Sequence, residues 1–511
     1  MLWTAWLTAN VSMWMNDVAA AWLMTTLSAD PMLVALVQTA TALPVFLLAM
    51  PGGAIADIVD RRRLLLGTQL WVAAMATLLA LAAWAGVLSA PMLLLLVFAH
   101  GIGLAIRWPV FSAVVPDVVP KGELPQAMAL NALAMNVARI IGPVAAGAVL
   151  ASFGSAVVFA LNAVLSLGAA AFVWRWHHPA RVSALPGERF LGAMRVGLQY
   201  ASLSRPLRAV LVRGFAFFLQ ITALLALLPL VAKRLPGGGA GTYTLLLSCM
   251  GVGAVALAMW LPWLRARLDH RQMLAAGTVL HAASTSGAAI AADAWIAALA
   301  MLPAGAAWIA AGNTLTVSAQ LALPDWVRAR GMAIYLMSVM AGSAAGAALW
   351  GAVAGYAGVR DSLLAASALG LVLLVALRRW RLGDGVADDD LVPYRMEPQP
   401  TATPVAPDAG PVMVTIEYLI DPQDEAAFVE LMEDTRRARL RGGALSWGLM
   451  RDADDPSRHL EYFVHENWVE HQRRIERLTA ADARLRERRL AFHKGAQPPR
   501  MTRYVARSLA G

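Results

Sequence analysis

Gly53-Ala54-Ile55-Ala56-Asp57-Ile58-Val59-Asp60-Arg61-Arg62 joins two long apolar runs, near 32–55 and 64–86. A glycine, an aspartate four residues on and then a basic cluster suit a chain that leaves a membrane and turns straight back into it. The glycine lets two helices approach closely. Asp57 is placed to cap a neighbouring helix start, and the arginines hold the loop on one side of the bilayer. Outward from this loop the same kind of run recurs. Crossing a hydrocarbon core of about 30 Å takes about 20 mainly apolar residues. Such runs lie near 2–27, 32–55, 64–86, 91–113, 126–151, 155–174, 207–232, 241–263, 273–292, 296–321, 331–355 and 360–378. Twelve crossings are expected.

Composition agrees. Of 511 residues, 59% are hydrophobic and only 15% charged, with a mean hydropathy of +0.58. Soluble chains average roughly 45–50% apolar and about 25% charged, so a single soluble fold is excluded, and so is intrinsic disorder. The one cysteine, Cys249, excludes a disulfide framework and a thiolate metal cage. The first run has no basic flank and no small-residue cleavage site, so it is no signal peptide. It opens almost at Met1, as expected of a start codon placed late.

The net charge of +9 reports orientation rather than nucleic-acid binding. Arg61, Arg62 and Arg63 follow the second run, Lys121 the fourth, and Arg175, Arg181, Arg189, Arg195 and Arg205 the sixth. Arg265, Arg267 and Arg271 follow the eighth, Arg328 and Arg330 the tenth, and Arg378, Arg379 and Arg381 the twelfth. The alternate loops are nearly bare, apart from Lys233, Arg234 and Arg360. By the positive-inside rule both termini lie on the cytoplasmic side.

An internal repeat divides the apolar part. An offset of 204 places Gly101 on Gly305, Pro120 on Pro324, Met128 on Met332, Gly142 on Gly346, Gly147 on Gly351 and Gly154 on Gly358. Two six-helix halves in parallel repeat follow: residues 1–176 and 207–382, joined by a cytoplasmic loop over 177–206. Residues 383–410, with Asp388, Asp389, Asp390 and prolines 398, 400, 404 and 407, read as an extended linker. Residues 411–511 have the composition of a small soluble domain. Strands are predicted over 412–418, 443–450, 459–465 and 502–507, with helices over 425–441, 468–477 and 481–493. That order is the ferredoxin-like α+β pattern.

Ionisable groups inside membrane spans are costly and mark pathways. Asp17 and Arg139 each lie about 20 Å from the cytoplasmic ends of their helices, at about 1.5 Å per residue. A pair at equal depth would neutralise each other, as a structural ion pair or as a site where Asp17 exchanges a proton against substrate. Arg107 in the fourth span is a further pathway candidate, while Arg213 sits close enough to a helix end to snorkel. Asn10, Asn16, Gln38, Asn131, Asn136, Gln220 and Asn313 are polar groups at membrane depth, suited to lining a cavity or joining helices.

These residues carry a resemblance. The Gly53–Arg62 element resembles the loop signature of the major facilitator superfamily, which implies a conformational latch at Gly53, Asp57, Asp60, Arg61 and Arg62. Gly142-Pro143-Val144-Ala145-Ala146-Gly147 is similar to the kinked glycine-proline motif of drug/proton antiporters, with Gly142, Pro143 and Gly147 matching and Ala146 replacing a glycine. The antiporter arginine of the fourth span is absent; that position is Val97. In the last domain, Val414-Thr415-Ile416-Glu417-Tyr418, Arg441-Gly442-Gly443-Ala444-Leu445-Ser446-Trp447-Gly448 and Glu461-Tyr462-Phe463-Val464 extend the likeness, as do Asn467-Trp468-Val469-Glu470-His471 and Glu476-Arg477-Leu478-Thr479. Together with the body, they resemble the "transmembrane secretion effector" group of bacterial facilitators, related to the enterobactin exporter. The appended domain resembles an antibiotic-biosynthesis monooxygenase unit.

The resemblance implies a multi-pass protein of the bacterial inner membrane that exports small organic molecules of the drug or siderophore class by alternating access. Protons are the implied coupling ion, membrane lipid the surroundings, and a homodimer through the last domain the implied assembly. Asp17 departs from the family, where an uncharged polar residue is expected. No G-x-x-x-x-G-K-[ST] loop supports ATP drive, and no cofactor, metal or nucleic-acid partner is implied. The alternative is a transporter fused to an active cofactor-free oxygenase, with His459, His465, His471, Trp447 and Trp468 supplying a base and an aromatic cavity. No metal-ligand spacing accompanies them, and the enzyme reading is the weaker one.

Overall fold

The computed structural model describes residues 2–58, 60–118, 123–175, 190–380, 391–394, 396, 401 and 403–507. Its first helices are α1 (Leu2–Leu27), α2 (Pro31–Ile58), α3 (Arg61–Trp84), α4 (Ala90–Val118), α5 (Leu124–Phe153) and α6 (Ser155–Arg175). After a short α7 (Phe190–Leu203) come α8 (Arg205–Arg234), α9 (Ala240–Arg265), α10 (His270–Ile290), α11 (Ala294–Leu321), α12 (Arg328–Ala357) and α13 (Val359–Ala376). Apart from α7, these are the twelve expected rods. Among the described residues ten of them, all but α1 and α5, are long and apolar enough to cross a membrane, and α5 holds the apolar stretch Val137–Phe153. The expected loop over 177–206 instead contains α7. Its 14 residues are too few to span a bilayer, and so gave no apolar run of crossing length. Lys121, Arg181, Arg189, Arg381, Pro120 and half of the linker, Asp388–Asp390 included, lie outside the described residues.

The chain divides into two compact units. The first, here the body, comprises Met1–Pro186, Val210–Ser318 and Ala333–Leu382. Within it the sequence repeat becomes a repeat of contacts. A Cβ on Gly142 would strike Trp14 of α1, and one on the equivalent Gly346 would strike the Leu219 carbonyl of α8. Gly147 abuts Thr244 of α9, and its equivalent Gly351 abuts Ala35 of α2. Thus α5 and α12 each pack on the first helix of their own half and the second helix of the other. Gly154 and Gly358 have φ of 80° and 88° at the matching α5–α6 and α12–α13 breaks, a conformation that favours glycine.

The two ends of the body differ. One continuous apolar core runs through both halves, from Met15–Met24, Val34–Ala40 and Leu150 to Leu227–Leu235, Tyr243, Met301 and Trp350. All of these lie toward the end whose loops carry few cations. Toward the arginine-rich end the clusters separate: Trp6, Leu65, Val110, Phe111, Val114, Ala134 and Val173 belong to the first half. Leu261, Met273 and Ala310 belong to the second. Among the described residues, then, the halves are sealed at the bare end and packed separately at the basic end.

The exceptional cations of the bare end have an ordinary role. Lys233 donates to the Thr25 carbonyl of α1 at 2.7 Å. Arg234 donates to Ala288 and Ala289 in the last turn of α10, at 2.9 and 2.6 Å. Cations there meet the negative end of the helix dipole and the carbonyls the helix leaves open. Arg213 does the same beyond α13, donating to Trp380 and Leu377 at 2.7 and 2.8 Å.

The second unit, here the tail unit, comprises Gly187–Ala209, Ala319–Met332 and Gly383–Gly511. It contains β1 (Val412–Leu419), α14 (Glu425–Arg441), β2 (Ser446–Arg451), β3 (Arg458–His465), α15 (Trp468–Glu476), α16 (Ala480–Phe492) and β4 (Arg500–Val505). The strands form one antiparallel sheet in the order β2-β3-β1-β4. Strand β2 starts three residues later than expected because Gly443, with φ 104°, turns the chain out of α14. Alternate residues His459, Glu461, Phe463 and His465 of β3 are buried, an unusually polar inner face.

Candidate functional site

Arg139 stands on α5 about halfway along, where its guanidinium lies 5.8 Å from the ring of Trp14 on α1 and 5.9 Å from that of Trp308 on α11. Trp308 meets Phe218 of α8 edge-on at 5.6 Å. All four residues fall near the middle of their helices, so the cluster sits about 20 Å from either end at about 1.5 Å per residue. Trp14 belongs to the first half and Trp308 with Phe218 to the second, which makes this a point where both halves meet one charge. Nε and Nη1 of Arg139 are buried and have no acceptor among the described residues. The rings offer their negative faces, yet the hydrogen-bonding capacity of the cation stays open. Such a cage is chemically suited to a planar or anionic group.

Asp17 lies one turn beyond Trp14 on α1, half-buried, within electrostatic reach of Tyr243 on α9. Among the described residues it makes no ion pair with Arg139; the two share a depth without touching. Asn131 precedes Arg139 on the same stripe of α5, its Oδ1 buried without a donor. The side chain of Asn136 lies outside the described residues. Arg107 is a separate locus, 1% exposed, with Nη1 3.4 Å from Gln69 Oε1 and its guanidinium 5.4 Å from the Trp6 ring.

Two buried polar networks flank the cluster. In the first half, Asn162 Nδ2 donates to Asn16 Oδ1 at 3.0 Å and lies 3.3 Å from His100 Nε2, while Ser166 bonds Asn162. In the second, Gln220 Nε2 lies 3.1 Å from His281 Nδ1, which is 3.2 Å from Thr285. Asn16 and Gln220 are equivalent under the 204-residue offset; Gln220 meets His281 directly, whereas Asn16 is linked to His100 through Asn162. Sequence reading named Asn16 and Gln220 as polar groups at membrane depth but missed His100, His281, Asn162 and the tryptophan cage; the 204-residue offset, which relates Asn16 to Gln220, is the signal that could have joined that pair.

Of the residues the resemblance implied as a latch, Asp60 caps α3, accepting from the Arg63 N–H at 2.8 Å. Arg62 reaches the last turn of α6, donating to the Val173 and Trp174 carbonyls, so its grip is within the first half. Gly53 and Asp57 fall in α2 and Arg61 in α3, with side chains outside the described residues. In the kink motif, Pro143 lies inside α5, between Gly142 against α1 and Gly147 against α9.

In the tail unit, burial, then Arg474 and then Arg503 push the His471 ring down to about 4. Burial and the neighbouring Arg474 also hold His465 well below its ordinary value. The two rings lie 5.5 Å apart, and His471 packs 5.1 Å from Trp468. His459 lies against Phe428 at 5.7 Å, and Trp447 donates to Glu461 at 3.1 Å. Of the residues named for an oxygenase site, His465, His471 and Trp468 thus lie together while His459 and Trp447 have other neighbours, and none of the three histidines lines the cavity bounded by Arg439, Arg474 and Arg489. Among the described residues no group of His, Cys, Asp and Glu is arranged to hold a metal.

Comparison with known proteins places these features. The sequence profile described as "Transmembrane secretion effector" matches residues 1–509. The chain is 23% identical over 256 residues to a staphyloferrin A transporter of Staphylococcus aureus, covering 49% of this chain and 63% of that protein. It is 24% identical over 183 residues to macrolide efflux protein A of Enterococcus faecalis, covering 35% and 56%. The chain therefore spans less than two thirds of the curated relatives it matches. A crystal structure of a bacterial homolog of the human lysosomal transporter Spinster, inward-facing and unoccupied, superposes with a TM-score of 0.57 at 15% identity, over 75% of this chain and 98% of that one.

Proposed function

The chain belongs to the transmembrane secretion effector family of major facilitator transporters, and from that premise we propose that it is a proton-coupled exporter of small organic molecules in the bacterial inner membrane. The observation that carries the reading is Arg139, held between Trp14 and Trp308 at mid-depth with open donors. Facilitators bind substrate near the midplane, between their halves, and rock around it. With the arginine-rich end on the cytoplasmic side, the separate packing of the halves there supports an inward-facing form that receives substrate from the cytoplasm. The relatives named for staphyloferrin A and macrolides support a siderophore or drug class, and the Arg139 cage favours a substrate with an acidic or planar group.

Asp17 is the proposed proton carrier, with Arg107, Asn131 and Asn136 along the pathway. Gly53, Asp57, Asp60, Arg61 and Arg62 form the latch, and Gly142, Pro143 and Gly147 the hinge of α5. The strand order β2-β3-β1-β4 supports a ferredoxin-like tail, whose role in this reading is dimerising or regulatory rather than catalytic. The test is proton-linked efflux from everted vesicles across a panel of siderophores, macrolides and dyes. Arg139→Gln is expected to abolish efflux of the accepted compound. Asp17→Asn is expected to leave downhill movement intact and remove its dependence on the proton gradient; coupled efflux that survives this change refutes the proton assignment.

A further inference from the structure

We propose that the tail carries a binding site for a small organic anion, an apolar body bearing a carboxylate, in the cavity between its sheet and its helices. This site is built within the tail unit and does not rest on the transport reading. The cavity measures about 340 Å³, at the lower end of the range for small-molecule pockets. Five arginines line it, Arg439, Arg474, Arg477, Arg486 and Arg489, against one carboxylate, Asp482.

The carboxylates nearby are already engaged. Glu461, fully buried behind the cavity, accepts from Arg439 Nε at 2.9 Å, from Trp447 at 3.1 Å and from Tyr418 at 3.0 Å, with Arg489 at 3.7 Å. Asp482 caps α16 through Thr479 and lies 3.3 Å from Arg441. Glu470 holds Arg477 at 2.8 Å. Arg474, 7% exposed, has its guanidinium 5.0 Å from the Phe463 ring and pairs with none of these carboxylates. Nε of Arg474 and Nε of Arg489 are buried with no acceptor among the described residues. Burial and then Arg439 bring Arg474 down to about 9, with Glu461 pulling the other way, so it remains a cation at neutral pH. A buried cation that makes no direct ion pair among the described residues is costly, and a ligand carboxylate relieves that cost through charge-assisted, bidentate bonds.

The rest of the wall argues for an organic ligand. Ile416, Leu485, Leu490 and Met501 face the same space, which an inorganic oxyanion would leave unfilled. Tyr394 closes one side, its N–H donating to the Leu478 carbonyl at 2.8 Å.

The test is calorimetric titration of the full chain in lipid nanodiscs with 2-naphthoate, the uncharged 2-naphthamide and sodium sulfate. The naphthoate is expected to bind one per chain, with the amide and sulfate at least tenfold weaker. Arg474→Gln should weaken naphthoate at least tenfold. Arg486→Gln changes an exposed residue, leaves folding untouched and should weaken it severalfold. Equal binding of naphthoate and amide, no binding of naphthoate, or full affinity in Arg486→Gln overturns the proposal. Sulfate binding as tightly as naphthoate overturns its organic character. Where Arg474→Gln fails to fold, the Arg486 variant and the amide decide.

Discussion

In the tail, Arg439 lies 2.9 Å from Glu461 and Arg489 lies 3.7 Å from it; in the body, Arg139 lies between two tryptophans and makes no ion pair among the described residues. The two regions bury the same cation under opposite rules. Arg439 and Arg489 complete a network whose anion is fixed, and their removal is a matter of folding. Arg139 has its desolvation only partly compensated by ring faces, and its Nε and Nη1 have no acceptor among the described residues, as the proposed substrate contact requires. A structural cation comes with its partner; a cation meant for a ligand does not. The largest expected effect follows from the first rule. Glu461→Gln leaves Arg439 and Arg489 facing each other without a counter-charge, and losing one member of a buried pair costs about 3–5 kcal/mol. Hydrogen exchange at β1 and β3 in the full chain measures it, and a loss below about 1 kcal/mol would break the contrast.

Acid should reach the same network by titration. Burial alone would raise Glu461, but Arg439 and Arg489, with hydrogen bonds from Arg439 and Trp447, bring it down to about 2 from 4.5. The unfolded chain then binds the proton first as pH falls. Its contribution is complete above about pH 4.5 and is lost on the way to about 2, amounting to about 3 kcal/mol at about 1.4 kcal/mol per unit. His471, held down to about 4 from 6.5, acts with the same sign over a higher window: stability is complete above pH 6.5 and falls between there and 4. Tail exchange rates should therefore rise in two stages on acidification. Glu461→Gln should erase only the lower one.

A third setting, an exposed cation whose ammonium reaches a helix carbonyl, tests what the bare end contributes. Lys233 donates from α8 to the Thr25 carbonyl of α1, across the halves, at 2.7 Å, and a hydrogen bond to a charged group is worth about 1.5–3 kcal/mol. Lys233→Ala should shift the balance toward the form open at the bare end by about tenfold, since about 1.4 kcal/mol is one decade. Spin labels at Ala29 and Trp295, both exposed, should report a longer distance. Arg234→Ala is the internal control, because Arg234 holds carbonyls of its own half and its loss should leave the distance unchanged.

What the sequence disclosed and what it hid divide along the same line. Spans, loops and the order of strands follow from local apolar period and loop charge, which neighbouring residues express by themselves. The offset of 204 went further, because Gly142 and Gly346 answer the same packing demand in each half, against Trp14 and Leu219. The tryptophan cage was hidden because Trp14, Arg139 and Trp308 stand on three helices more than a hundred residues apart, and a tryptophan facing a buried cation reads no differently in sequence from one facing lipid. Helix α7 was hidden for lack of length. In β3 the alternation of His459, Glu461, Phe463 and His465 put polar residues on the inner face, against the usual pattern, so only the arginines of α14 and α16 explain why Glu461 can be there.

The smallest expected effect on stability is the most telling. Arg139→Gln removes two cation–ring contacts, each worth about 0.5–2 kcal/mol when shielded from water, and also removes the desolvation cost of an unpaired buried charge. These oppose each other, so the melting temperature of the body should move little, by the equivalent of about 1 kcal/mol or less in either direction. A cation that holds a fold cannot be lost so lightly. If transport falls at least tenfold while stability holds, Arg139 is a ligand group rather than a strut. If the body instead unfolds as the tail does without Glu461, an acceptor for Arg139 exists in the resting protein, and the distinction between the two regions disappears.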